Sequence, residues 1–164
     1  MVVDLRRVFV EDGFSLPVTY SFDMGDVEVS GFFPLKQPVT FCGTFSNKAS
    51  LVECKAQITY RYEAPCDRCG AMTAREHTVS LQKTVVTSVE SEESDGFLLT
   101  PDRELDLDEL IYSEVVVDLP TKHLCREDCK GICVRCGKNL NEGDCDCPKR
   151  EIDPRLSALA DLLK

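Results

Sequence analysis

Residues 125–147 read Cys125-Arg-Glu-Asp-Cys129-Lys-Gly-Ile-Cys133-Val-Arg-Cys136-Gly-Lys-Asn-Leu-Asn-Glu-Gly-Asp-Cys145-Asp-Cys147, and they hold six of the ten cysteines of the chain. Cysteine pairs at such short spacing are typical ligands of a tetrahedral metal ion, usually zinc. The residues between the cysteines are mostly polar or glycine, so the segment has little apolar core of its own. We therefore expect a bound metal ion to order it.

Disulfide bonds are the alternative to metal binding by these cysteines. Which of the two applies depends on whether the protein resides in an oxidising or a reducing compartment. The first residues, 1–7, lack the basic region, apolar stretch and cleavage site of a signal peptide. The chain contains no run of about 18 apolar residues, so we expect no membrane span. We therefore expect a cytoplasmic protein in a reducing compartment, where close cysteine pairs are metal or redox sites.

The most local ligand set is a Cys-x-x-Cys pair followed, after eight residues, by a Cys-x-Cys pair. Its members are Cys133, Cys136, Cys145 and Cys147. This set needs no long-range contact, so we rank it first as a structural zinc site.

Four further cysteines are candidates for a second metal site or a dithiol site, and the sequence leaves their arrangement open. They are Cys66, Cys69, Cys125 and Cys129. The pair at 66 and 69 could instead face the pair at 133 and 136 in one ribbon, or bind no metal at all. His123 is a weaker candidate ligand. Each Cys-x-x-Cys is followed by glycine, which permits the left-handed backbone of a zinc knuckle.

The N-terminal half, residues 1–87, is predicted to be a β-rich domain. β-branched and aromatic residues with partial alternation indicate strands. The predicted strands are 2–10, 18–22, 27–33, the two arms of a hairpin at 38–46 and 50–62 around a turn at 47–49, and 73–88. Cys42 and Cys54 lie in the hairpin arms, where we expect both to be small core residues.

The C-terminal half is predicted to be divided into four segments. They are an acidic linker at 88–104, a helix at 105–120, a cysteine-rich metal-binding segment at 121–149 and an amphipathic helix at 150–164. Asp106 is the expected N-cap of the first helix and Pro120 ends it. Asp153-Pro154 starts the second helix. The predicted fold class is α+β, mostly antiparallel β.

The net charge of −10 comes from one segment. Residues 88–118 contain eleven acids and one base, and the rest of the chain carries equal numbers of both. An acidic chain is a poor nonspecific ligand of nucleic acid, so a basic protein is the more natural partner. The alternative is a solvated helix face that packs on the sheet through its leucines.

Catalysis is poorly supported by the residues. There are two histidines. His77 lies in a predicted strand, where we expect a surface side chain and not a catalytic base, and His123 lies just before the cysteine-rich run. Nucleobase deaminases need a His-x-Glu before their Cys-x-x-Cys, and no histidine precedes Cys66. An all-cysteine metal site is closed and structural. We therefore expect no enzyme and no small-molecule substrate.

The order of motifs resembles the bacterial YceD family. The motifs that carry the resemblance are Cys66-Asp-Arg-Cys69, Leu107-Asp-Glu-Leu-Ile, Asp118-Leu-Pro, the Cys125–Cys136 run with its Gly-Lys-Asn-Leu-Asn extension, and Asp153-Pro-Arg-Leu. The resemblance implies a ribosome-biogenesis factor that promotes accumulation of large-subunit (23S) ribosomal RNA. Because some members keep only the first Cys-x-x-Cys, it also favours the local metal site.

The implied partners are a basic ribosomal protein or the pre-ribosomal large subunit, with ribosomal RNA contact through local cations. These cations are Arg126, Lys130, Arg135 and Lys138. Two other functions compete with this expectation. One is a zinc-ribbon module that acts in regulation or binds nucleic acid, and the other is a thiol redox sensor that uses Cys66 and Cys69.

Overall fold

The computed structural model describes residues 1–88 and 96–147 and is mostly β. The order of elements is β1 Val2–Asp4, α1 Arg6–Val10, β2 Ser15–Phe22, β3 Val39–Lys48, β4 Leu51–Pro65, β5 Met72–Val86, β6 Phe97–Leu99, β7 Glu104–Asp106 and α2 Leu107–Asp118. Neither helix in this described part has the length and apolar character needed to cross a membrane. The predicted terminal helix at 150–164 lies outside the described residues.

A five-stranded sheet with the order β2-β3-β4-β5-β6 forms the body of the fold. The first four strands are antiparallel neighbours, and β6 joins β5 in parallel. The mostly antiparallel prediction is therefore correct for the long strands, while β6 makes the sheet mixed. Strands β1 and β7 form a separate antiparallel pair.

The hydrophobic core lies between one face of the sheet and the two helices. Side chains of β4 alternate between buried and more exposed positions along the whole strand, as expected for a sheet with one buried face. Phe41, Phe45 and Ile58 from the sheet are fully buried, as are Val8 of α1 and Ile111 of α2. Burial of such side chains stabilises each by about 1.5–3 kcal/mol.

The predicted hairpin is confirmed as β3 and β4, but its turn lies further along the chain than expected. Ala49 and Ser50 form it, with φ values of 52° and 66°. Asn47, expected in the turn, is a buried strand residue whose Nδ2 donates to the Val8 carbonyl at 2.8 Å. This hydrogen bond ties α1 to the end of β3.

Of the predicted N-terminal strands, the one at 2–10 is correct only for its first residues, 2–4, and the one at 27–33 is wrong. Residues 2–10 form β1 and then α1, because a short apolar run fits either period and Val8 reaches the core from a helix. Residues 27–33 form a tight turn closed by Val29 and Phe32, whose backbones exchange hydrogen bonds of 2.8 and 3.0 Å. Ser30 and Gly31 have positive φ, which directs the chain back on itself.

The helix expected at 105–120 is α2, and it starts after β7. The Asp106 side chain caps it by accepting from the N–H of Asp108 at 2.9 Å. Leu119 leaves the helical conformation, as expected for the residue before a proline. The segment expected as a linker, 88–104, contains β6 and the start of β7, and its residues 89–95 lie outside the described part.

Candidate metal centres

The Cys66–Gly70 motif forms a turn between β4 and β5. The Gly70 N–H donates to the Cys66 carbonyl at 2.8 Å, and the Cys66 N–H donates to the Ala71 carbonyl at 2.9 Å. Gly70 has φ +71°, a left-handed conformation that glycine adopts without strain. The backbone of this turn therefore curls around the sulfurs.

The second Cys-x-x-Cys-Gly repeats this backbone arrangement. The Gly137 N–H donates to the Cys133 carbonyl at 2.9 Å, and the Cys133 N–H donates to the Lys138 carbonyl at 2.8 Å. Gly137 has φ +73°. The two motifs are thus two copies of one local structure, as the shared sequence pattern predicts.

The structure gathers eight cysteines into two clusters of four sulfurs. The first cluster is Cys66, Cys69, Cys125 and Cys129, and the second cluster is Cys133, Cys136, Cys145 and Cys147. Within each cluster all four sulfurs lie within 4.8 Å of one another. The structure thus brings together the most local set, and it joins the remaining four instead of placing the two knuckles face to face.

The sulfur spacing in the first cluster fits a tetrahedral metal ion. The Cys66 and Cys129 sulfurs are 3.8 Å apart, and the Cys69 and Cys125 sulfurs are 3.7 Å apart. Four thiolates at about 2.3 Å from a zinc ion would lie about 3.8 Å from one another. A disulfide would need about 2.05 Å, and all ten cysteines are free thiols. Both clusters could hold a metal ion.

The two clusters differ in burial. Cys66 and Cys129 are 3% and 2% exposed, and the other two sulfurs of the first cluster are half-buried. The second cluster has no buried member, and its Cys136 is exposed. The first cluster therefore lies inside the fold, whereas the second lies at the surface.

Hydrogen-bond donors lower the pKa of two cysteines in the first cluster and of one in the second. Burial acts to raise the pKa of Cys66, but backbone N–H donors outweigh it and lower that pKa to about 6. Donors from Cys136 and Arg135 lower the pKa of Cys133 to about 6. Burial and neighbouring thiols raise the pKa of Cys125 to about 12. Burial acts to raise the pKa of Cys129, but donors from Asn141 and Gly131 outweigh it and lower that pKa.

Side chains around the first cluster hold its two halves together. The Arg68 guanidinium donates to the Cys129 carbonyl at 2.8 Å. The Asp67 carboxylate accepts from the His123 N–H at 2.7 Å, and the Asp67 N–H donates to the His123 carbonyl. The knuckle at the end of β4 is therefore joined to the segment before Cys125 by paired hydrogen bonds.

Neither histidine joins a sulfur cluster. His123 is buried, and its Nε2 lies 2.7 Å from the Thr73 hydroxyl, so this ring nitrogen is engaged away from the sulfurs. His77 was expected at the surface, but its ring is half-buried and stacks on Tyr60 with a centroid distance of 5.1 Å. Both rings are part of the packing around β4.

The two cysteines outside the clusters have different surroundings. Cys54 is fully buried in the core, as predicted, and burial raises its pKa to about 12. Cys42 was expected in the core but is exposed, because its position in β3 points to the outer face of the sheet. Its sulfur lies 3.9 Å from the Thr19 hydroxyl.

Many acids of the acidic segment have partners within the fold. Glu104 pairs with Arg6, and Glu114 pairs with Lys83. Asp108 accepts from the N-terminal amine at 2.6 Å, and this contact lowers the pKa of Asp108. Asp118 accepts from the Tyr60 hydroxyl at 2.7 Å. Part of the negative charge thus holds α2 and β7 in place.

Sequence reasoning missed one residue that contacts a sulfur. Asn141 Nδ2 lies 3.3 Å from the Cys129 sulfur. The only signal in the sequence is the Asn-Leu-Asn between Cys136 and Cys145, where asparagine side chains can form local hydrogen bonds with the backbone.

The family model described as "Large ribosomal RNA subunit accumulation protein YceD" matches residues 54–163, a range that includes both sulfur clusters. No solved structure gives a significant match.

Curated relatives match shorter stretches of the chain. A protein of Arabidopsis thaliana named "Large ribosomal RNA subunit accumulation protein YCED homolog 1, chloroplastic" is 35% identical over 60 residues, which is 37% of this chain and 19% of the relative. An uncharacterized protein of Mycobacterium leprae is 38% identical over 64 residues, which is 38% of this chain and 28% of that protein. An uncharacterized protein of Mycobacterium tuberculosis is 34% identical over 74 residues, which is 45% of this chain and 35% of that protein.

The matched segment thus spans about a fifth to a third of the length of these relatives. The family match, in contrast, covers more than half of this chain and agrees with the motifs quoted from the sequence. With two cysteine knuckles and their partner cysteines inside the matched range, the chain belongs to the YceD family of large ribosomal RNA subunit accumulation proteins.

Proposed function

We propose that this chain is a cytoplasmic, non-enzymatic ribosome-biogenesis factor that promotes accumulation of large-subunit (23S) ribosomal RNA. Membership of the YceD family is the observation that carries the proposal. The name of the Arabidopsis relative supports it. The clusters support a structural role, because four protein sulfurs leave no open position for a substrate on a tetrahedral ion.

The proposed partner is a basic ribosomal protein or the pre-ribosomal large subunit. The excess of acids in 88–118 supports this, since opposite charge steers association. Within the described residues, Asp102 and Glu109 are the acids of this segment that face solvent without a partner in the fold. They are the proposed contact residues.

Zinc is the proposed ion at both clusters. Thiolate ligands, tetrahedral spacing and closed coordination all favour it. The local set of Cys133, Cys136, Cys145 and Cys147 would order the cysteine-rich segment, and the first cluster would fasten that segment to the β-sheet. The ion supplies a cross-link between loops, and the cysteines and their N–H donors supply the geometry.

Direct RNA contact is the secondary part of the proposal. Exposed cations of the cysteine-rich segment would make it, namely Arg126, Lys130, Arg135 and Lys138. Residues 121–147 contain as many acids as bases. A zinc ion bound by four thiolates carries a net charge of about −2, which would make this segment more negative. The balance of charge therefore favours a protein partner over bare RNA.

The decisive experiment measures ribosomal RNA and association together. In cells that lack the chain, 23S RNA should fall relative to 16S RNA, and the wild-type protein should restore it. Tagged protein should sediment with pre-ribosomal large subunits. The double variant Asp102→Lys and Glu109→Lys should lose both properties, while the charge-matched double variant Glu28→Lys and Glu76→Lys, at exposed acids outside this segment, should keep them.

Other outcomes would contradict the proposal. Normal 23S RNA in cells without the chain would refute the biological role. Association with polymerase or DNA would favour the zinc-ribbon regulatory module. Reversible oxidation of Cys66 and Cys69 in protein without stoichiometric metal would favour the thiol redox sensor.

A further inference from the structure

Asn141 connects the two sulfur clusters, because it contacts a sulfur of the first and belongs to a loop of the second. Its Nδ2 lies 3.3 Å from the Cys129 sulfur of the first cluster. Along the chain it belongs to the loop that joins Cys136 to Cys145 in the second cluster. One side chain therefore belongs to the loop of one cluster and donates to a sulfur of the other.

The orientation of this amide is set by several neighbours. Its Oδ1 accepts from the Lys130 N–H at 2.9 Å and from the Arg126 guanidinium at 2.7 Å. Its Nδ2 and backbone N–H both donate to Asn139 Oδ1, at 2.8 and 3.1 Å. Because Oδ1 is occupied by donors, the NH₂ group must face the sulfur.

The backbone of the second cluster also rests on the first knuckle. The Ile132 N–H donates to the Arg68 carbonyl at 3.1 Å, and the Leu140 N–H donates to the Gly131 carbonyl at 2.9 Å. Gly131 has φ +76°, and a Cβ there would lie 3.0 Å from the Arg68 oxygen. This close approach needs glycine and positions the Asn139–Asn141 loop next to Cys129.

We infer that Asn141 is a positioning residue that couples metal binding at the two clusters. An ion in the second cluster fixes the loop that carries Asn141, and the fixed amide then stabilises the Cys129 thiolate. By linkage, an ion in the first cluster strengthens binding at the second cluster equally. The inference rests on the proposed zinc sites. Loss of such an outer hydrogen bond typically costs about 10–100-fold in metal affinity.

The test is a metal titration of the full chain with Zn²⁺ against a chromogenic chelator, repeated with Co²⁺ to record the sulfur-to-metal absorption band. Asn141→Asp keeps the acceptor atoms for Lys130 and Arg126 but replaces the donor to sulfur. It should weaken the first cluster by about 10–100-fold and shift its Co²⁺ band. Gln57→Glu makes the same amide-to-carboxylate change at an exposed position of β4 outside both clusters, and it should leave the first cluster unchanged.

A double-mutant cycle separates coupling from general damage. The pair Cys145→Ser and Cys147→Ser removes the second site and should weaken the first by a similar factor. Adding Asn141→Asp to that pair should cause little further loss, because both changes act through one contact. Far-UV circular dichroism of each variant reports whether the β-sheet is intact.

Two results would overturn the inference, and they differ in meaning. If wild-type protein binds two ions and the losses simply add, the clusters are independent and only the coupling fails. If wild-type protein binds no stoichiometric metal, the zinc sites and the coupling fail together.

Discussion

The two sulfur clusters share one knuckle structure but differ in how they are built. The second cluster takes all four cysteines from residues 133–147, and none of the four is buried. The first joins a turn of the sheet to a segment 56–63 residues away, and two of its sulfurs are buried. The same motif thus serves local order in one case and long-range attachment in the other.

The largest expected effect comes from replacing a single cysteine, and two single variants, one for each cluster, are compared. Cys129→Ser should lower the free energy of unfolding of zinc-loaded protein by about 4 kcal/mol or more, because a metal-held tertiary contact is lost. Cys145→Ser should cost about 1–3 kcal/mol, the size of the coupling between clusters. Urea unfolding followed by far-UV circular dichroism measures both, since the chain has no tryptophan. Equal losses would remove the distinction between the clusters.

Thiol reactivity offers a second way to separate the clusters. In zinc-loaded protein, exposed Cys136 should be alkylated roughly ten times faster than buried Cys66, because it needs less local opening. Peptide mass spectrometry after timed iodoacetamide treatment gives the rates. Exposed Cys42, outside both clusters, marks the unprotected rate, and buried Cys54 marks the protected one. Cys66 reacting as fast as Cys42 would contradict the buried first cluster.

A matched pair of glycines tests whether the second cluster rests on the first knuckle. Gly131 and Gly137 have similar φ values, +76° and +73°, but only the former approaches the Arg68 carbonyl. Gly137→Ala should cost about 1–2 kcal/mol from backbone strain alone. Gly131→Ala should cost about 1 kcal/mol more, because the added methyl group separates the two loops. Thermal unfolding of the two zinc-loaded variants measures the loss of stability in each. Equal losses would argue against the contact between Gly131 and the Arg68 carbonyl.

The smallest expected effect concerns Arg126. Its guanidinium is exposed and helps orient Asn141, so Arg126→Ala should cost below about 1 kcal/mol of metal affinity at the first cluster. Lys122→Ala removes a charge of the same sign from the same segment and serves as control. A loss as large as that of Asn141→Asp would move the positioning role from the amide to the guanidinium.

The local features of the molecule were the most predictable from sequence. The knuckles and the cap of α2 depend on residues within a few positions, so Gly70, Gly137 and Asp106 indicate them directly. The β3–β4 hairpin follows from alternation. The four sulfurs of the second cluster are neighbours in sequence, and the structure brings the same four together.

Features that depend on tertiary packing were not predictable. The run that contains Val8 fits a strand or a helix until the core selects the helix. Ser30 can adopt positive φ, but nothing in the residue demands it. The joining of Cys66 with Cys129 depends on Arg68 and Asp67 hydrogen bonds between distant segments. The sequence could therefore present this arrangement only as one of several.

The long separation between the halves of the first cluster has a consequence for folding order. Its sulfurs meet across β5, β6, β7 and α2, so these elements must be in place before the site can form. Closing so long a loop is entropically costly until the intervening contacts exist. We therefore expect the cluster to form late in folding, and an ion held there would stabilise only chains whose sheet and second helix are already assembled.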